Sequence, residues 1–174
     1  HICCKIRNIL LGNRKLKELI QNDFKNPKSL FIIGEILTRS TRSLNFIGHG
    51  QEIFDVLGVE RTAHDRIKNI CHLGVATFGW SFTNRGLKVP DHVPYVRLIS
   101  PSGKIWEWGD SLSPSSIKGK ASEFAEVVTQ VRNVQDTGLA SEGAIAKKWM
   151  KIAQCFAGQP ENPPAKGSRF TVPQ

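Results

Sequence analysis

The chain has 174 residues, 40% of them hydrophobic and 22% charged, with a formal net charge of +9. That composition excludes an intrinsically disordered chain and suits one domain of ordinary size or two small ones. It contains no run of about eighteen apolar residues, which excludes a membrane-spanning helix. The opening HICCKIRNILLGNRK lacks the unbroken apolar core and small-residue cleavage site of a signal peptide. A cytoplasmic protein is therefore expected, and a start on His rather than Met reads as a processed product or a fragment.

The positive charge is concentrated in residues 1–50, where nine Lys/Arg face three acids and supply +6 of the +9. No recognition-helix pattern, aromatic-rich RNA-binding strand or zinc-finger spacing accompanies it, so a solvated basic face fits better than a specific nucleic-acid surface. The four cysteines do not form a disulfide framework. Cys3 and Cys4 are adjacent, Cys71 and Cys155 lie in apolar helical patterns, and no C-x-x-C spacing occurs.

In chain order, Leu16, Leu19, Ile20 and Phe24 predict a short helix over about 14–24, ended by Asn26-Pro27. From Pro27 to Leu57, Leu30, Ile33, Leu37, Leu44, Ile47 and Phe54 recur at helical spacing, with a weak section at Thr38–Ser43. The triplet Gly48-His49-Gly50 lowers helix propensity by about 2 kcal/mol relative to alanines, which points to tight helix packing or close approach of a ligand. Gly58 ends that helix. Thr62 is the expected N-cap of the next, which carries Ile67, Ile70, Cys71 and Val75 on its inner face, with His64 at the loop and His72 beside the stripe.

The pattern changes after Phe82. Val93–Ile99 and Lys104–Trp108 alternate around Ser100-Pro101-Ser102-Gly103 and predict a β-hairpin. Period two puts Tyr95, Arg97 and Ile99 on one face, and turns Trp106 and Trp108 away from Ile105. A polar segment then leads to a helix at about Ser122–Arg132, capped by Ser122. A second follows over Gly143–Phe156, expected to bury Ile145, Trp149, Ile152 and Phe156. Asn84-Arg85-Gly86 offers a guanidinium on a loop, suited to a carboxylate or phosphate, so Arg85 and Asn84 are candidate substrate-binding residues.

Phosphate-binding glycine loops, H-E-x-x-H, nucleophile elbows and dinucleotide fingerprints are all missing from the sequence. The blocks HGQE, HLGV, GWSFTNRG and AQCFAG together resemble the actinobacterial-type metal-binding proteins of the DinB superfamily, relatives of mycothiol-dependent maleylpyruvate isomerase, over about residues 40–165. Some members of that group carry a wyosine-base-formation label. The resemblance implies an α+β chain: a basic helical segment at 1–40, part of a DinB-type helical bundle at 41–80, and a small sterol-carrier-like α/β domain at 81–174.

It also implies a divalent metal, zinc or similar, held by an early histidine and by a carboxylate and a histidine four residues apart, a spacing that puts both on one helix face. His49 matches the later histidine, and Asn45 stands where the family has Glu. Residues 1–40 hold no histidine but His1 and do not resemble the early helices, so the chain reads as the second half of a longer protein. Half a bundle leaves apolar faces that favour self-association.

Three functions follow as expectations. The first is a metal- and low-molecular-weight-thiol-dependent transferase or isomerase acting on an unidentified small molecule, where the metal would polarise a carbonyl or acidify a bound thiol. The second is a non-catalytic module that binds an apolar ligand or serves assembly. The third is a non-specific nucleic-acid contact.

Overall fold

The structure is a computed structural model that describes residues 62–168, which fold as one unit beginning at Thr62. The helices expected before Thr62, and with them His49 and Asn45, lie outside the described residues. The chain enters through a 3-10 turn, Asp65–Ile67, and continues as α1 (Lys68–Ala76), α2 (Phe78–Thr83), β1 (Tyr95–Ile99), β2 (Ile105–Trp108) and β3 (Ser116–Lys120). Helix α3 (Ala121–Val128), a 3-10 turn at Val134–Asp136, β4 (Ala140–Glu142) and α4 (Ala144–Ile152) complete it. The fold is α+β.

The hairpin forms where the alternation and turn chemistry put it. Ile99 pairs with Ile105 and Val96 with Trp108. Ser100 N donates to Lys104 O at 2.8 Å, and Gly103 takes φ +82°, a backbone conformation that a side chain disfavours. Val96, Leu98 and Trp106 are buried on the inner face, while Arg97, Ile99, Ile105 and Glu107 are exposed on the outer one.

Two further strands have no comparable signal in the sequence. The segment SIKGK contributes Ile117 as its one large apolar core residue, yet it pairs parallel with β1 (Tyr95 with Ser116, Ile99 with Lys120) and antiparallel with β4. The result is a four-stranded mixed sheet in the order β2-β1-β3-β4. Strand β3 is held by its backbone partners rather than by its own side chains, which is why a polar sequence folds as a central strand.

All four helices lie with the inner face. Helix α3 packs on β1 and β3, α1 on α3, and α4 on α2 and β4. Trp149 is fully buried, its ring 5.0 Å from Phe78 in a T-shaped arrangement and 6.0 Å from Phe124. Helices α1 and α2 belong with the sheet to this one compact unit. Among the described residues no helix is long and apolar enough to cross a membrane.

Several helix ends differ from the periodicity reading. Thr62 caps nothing; the carboxylate of Asp65 instead accepts from Ser102 N (3.1 Å) and Ser102 Oγ (2.7 Å), tying the helix start to the hairpin turn. Thr77 breaks the first helix in two, its Oγ1 bonded back to Leu73 O at 2.8 Å. Ser122 lies inside α3 rather than capping it, and α3 stops at Val128, four residues early. Helix α4 stops at Ile152 and buries Ala146, Trp149 and Met150, so its inward stripe is turned from the expected one, with Ile145 and Ile152 only half-buried.

The α1–α3 contact depends on a missing side chain. A Cβ on Gly74 would lie 2.9 Å from Val128 Cγ2 and 3.1 Å from Phe124 Cε1. Gly74→Ala is therefore expected to lower stability by about 1–3 kcal/mol in urea unfolding. Gly79→Ala, whose methyl would meet only Val89 Cγ1 at 3.7 Å, is expected to be neutral or stabilising, because alanine is the better helix former.

Candidate functional site

The sequence points to metal-ligating and nucleophilic side chains. Among the described residues no three of His, Cys, Asp and Glu gather into a group that could hold a metal ion. His64 is exposed at the start of the first turn. His72, exposed on α1, accepts a hydrogen bond at its Nδ1 from Trp108 Nε1 at 3.2 Å. It thus latches α1 to the sheet edge, where Lys68 also lies 5.6 Å above the Trp106 ring.

Cys71 and Cys155 are buried free thiols. Desolvation pushes each of them up to about 12, and Cys71 Sγ donates to Ala121 O at 3.4 Å. At neutral pH both are therefore thiols and not thiolates, and neither is an activated nucleophile.

Arg85 is not the exposed loop guanidinium that its sequence context suggests. It is half-buried just past α2, and desolvation lowers its pKa below the ordinary arginine value. Its Nη1 lies 3.5 Å from Ser81 O and from Gln154 Oε1, and its Nη2 donates to Glu161 O. Beside it, Asn84 keeps a buried Nδ2 without a hydrogen-bond partner.

Two glutamines complete this cluster, and neither was marked by the sequence. Gln154 is fully buried directly after α4. Its backbone N donates to Ser81 Oγ (3.1 Å), its Nε2 to Gln159 O (3.1 Å), and its Oε1 accepts from Glu161 N (3.0 Å). Gln130, just past α3, has φ +60°, a left-handed backbone that a non-glycine residue adopts at a cost. Its Nε2 donates to Ala153 O (3.1 Å) and Glu161 O (2.7 Å), while its Oε1 is buried and unpartnered. A glutamine set in an apolar run just beyond a helix is the only sequence signal that could have flagged either one. Carboxamides and a guanidinium do not exchange protons near neutral pH, so the cluster is suited to recognition and not to acid–base chemistry.

The outer sheet face is charged but internally paired. Arg97 lies 3.5 Å from Glu107, whose Oε1 also accepts from Tyr95 Oη, and Lys118 lies 3.4 Å from Glu142. The hydrogen bond from Ser116, at 2.8 Å, is the main cause holding the Glu142 carboxyl below its ordinary pKa. Arg97 and Lys118 are thus matched by acids on the same face, which lowers the charge they could offer a phosphate.

No family model matches the chain, and no solved structure matches it. It is 37% identical over 121 residues to an uncharacterized protein of Mycobacterium tuberculosis, in strains H37Rv and CDC 1551 alike. The aligned segment is 70% of this chain and 47% of the mycobacterial protein. The chain thus spans about half the length of the curated relatives it matches.

Burial of the two thiols has a direct readout. In the folded protein at pH 8, Cys71 and Cys155 are expected to resist iodoacetamide and to react fully in urea, as followed by peptide mass spectrometry. The Asp65 clasp has a pH signature. The Ser102 hydrogen bond lowers the Asp65 carboxyl pKa, so its contribution is complete above the unfolded carboxylate value of about 3.9 and is lost as pH falls through the folded value. The stability gap between the native chain and Asp65→Asn, measured by urea unfolding, is therefore expected to be constant at neutral pH and to close in acid.

Proposed function

We propose that this chain is a divergent member of the DinB-superfamily lineage related to mycothiol-dependent maleylpyruvate isomerase, with an incomplete metal site. Its 62–168 unit then serves as a binding and assembly module. One observation carries the reading: Asn45 stands four residues before His49, where the resembled family has a carboxylate. A carboxamide offers one neutral oxygen, so the pair supplies a single good donor, the His49 imidazole, and does not fit a tight divalent site.

The rest of the molecule supports this division. Both described thiols are buried and protonated, and the convergent polar groups of the unit are amides and a guanidinium. A mixed sheet with helices on one face is compatible with the sterol-carrier-like domain that the resemblance implies. The match to a mycobacterial protein, of which the aligned segment is 47%, agrees with an actinobacterial-type lineage whose members are longer than this chain.

Metal analysis of the purified full chain tests the reading. Substoichiometric zinc, unchanged in His49→Ala, is expected. Asn45→Glu, which restores the carboxylate that the resembled family has four residues before the histidine, is expected to raise the retained metal. A stoichiometric divalent ion in the native chain that is lost in His49→Ala would overturn it.

A further inference from the structure

Three side chains from three parts of the fold address the backbone of one residue, Glu161. Gln154 Oε1 accepts the Glu161 N–H at 3.0 Å. Gln130 Nε2 donates to the Glu161 carbonyl oxygen at 2.7 Å, and Arg85 Nη2 donates to that same oxygen. Two donors thus converge on a single oxygen beside one acceptor for the amide hydrogen.

The arrangement is over-provided for the group it holds. A guanidinium is a cation, and its acceptors here, the oxygens of Ser81, Gln154 and Glu161, are all neutral. An anionic oxygen would form the stronger, charge-assisted bond. Gln130 reaches this point from a left-handed backbone and with a buried, unpartnered Oε1. Strain and an orphaned acceptor together mark a side chain held for what its amide N–H groups address.

The segment that supplies Glu161 is weakly anchored on its own account. Residues 157–162 are all exposed, so hydrogen bonds hold them rather than apolar burial. Segments of that kind open locally far more readily than the core does.

We propose that Arg85, Gln130 and Gln154 form a binding site for an N-acylated α-amino acid carboxylate, and that Glu161 occupies it in cis. Such a ligand, a free acylamino acid or the C-terminal residue of a peptide, carries an amide N–H and a carboxylate on the same α-carbon. That is the spacing of the N–H and C=O of Glu161. Gln154 Oε1 accepts the ligand amide, while Arg85 and Gln130 bind the carboxylate, an instance of terminal-carboxylate capture.

Calorimetric titration of the full chain with acetyl-Gln-Pro-Glu, as free acid and as C-terminal amide, tests the site. The free acid is expected to bind at least about tenfold more tightly than the amide, because only the acid makes the charge-assisted pair. Glu161→Pro removes the N–H that Gln154 accepts and weakens the cis occupant, so it is expected to raise affinity for the acid several-fold. Arg85→Met is expected to abolish the preference for acid over amide.

Acetylglutamate alone distinguishes the two ligand sources. Binding equal to the tripeptide's supports a small metabolite, and weaker binding supports a peptide terminus. Equal affinity for acid and amide, no binding at millimolar ligand, or no gain in Glu161→Pro would overturn the proposal. Glu161→Pro alters an exposed segment, so its readout stands even where Arg85→Met fails to fold.

Discussion

The burial of Trp149 is the contact on which the other contacts of this unit depend. Its ring lies edge-on to Phe78 of α2 and to Phe124 of α3, and it projects from α4, so one side chain joins three helices. Aromatic pairs of this geometry contribute about 0.5–1.5 kcal/mol each beyond the area they bury. Full burial leaves Trp149 Nε1 without a hydrogen-bond partner, a penalty the ring's apolar burial offsets. Helix α3 in turn lies on β1 and β3, which couples the helical layer to the sheet.

The polar cluster is a consequence of that packing. With α4 seated on α2, the chain leaves Ile152 beside Ser81, so Gln154 N meets Ser81 Oγ and the following segment passes Arg85. With α3 ending at Val128, Cys155 N bonds to Val128 O and Gln130 faces Ala153. Most hydrogen bonds of the cluster go to the backbone of residues 153–161, while Gln130 Oε1 and Asn84 Nδ2 stay buried without partners. Polar groups buried in this way need partners, since each one left unpaired would lose about 1–3 kcal/mol.

Among the described residues no group of His, Cys, Asp and Glu could hold a metal ion. The convergent polar groups of the 62–168 unit are instead the Arg85 guanidinium and the Gln130 and Gln154 carboxamides, which stand just past α2, α3 and α4. The buried, protonated state of Cys71 and Cys155 keeps them as core residues. A helix stripe containing cysteine is the sequence form of that role.

By itself the sequence determined the parts whose signals are local. The hairpin from Tyr95 to Trp108 followed from alternation around Ser-Pro-Ser-Gly, as did the common facing of Trp106 and Trp108. The existence of α1, α3 and α4 followed from apolar spacing, and the α+β class from both. Tertiary structure decided what local signals cannot carry. Strand β3 exists because β1 offers a backbone edge and β4 because β3 does, not because SIKGK or ASE favours extension. The breaks at Thr77, Val128 and Ile152 reflect side-chain and neighbour contacts that override helical periodicity. Arg85 reads as a solvated turn residue, and only the packing of α4 on α2 brings Gln154 and Glu161 to it from about seventy residues away in the chain. Long-range convergence of this kind leaves no periodic mark in a sequence, because the residues that meet share a place in the fold and not a repeat.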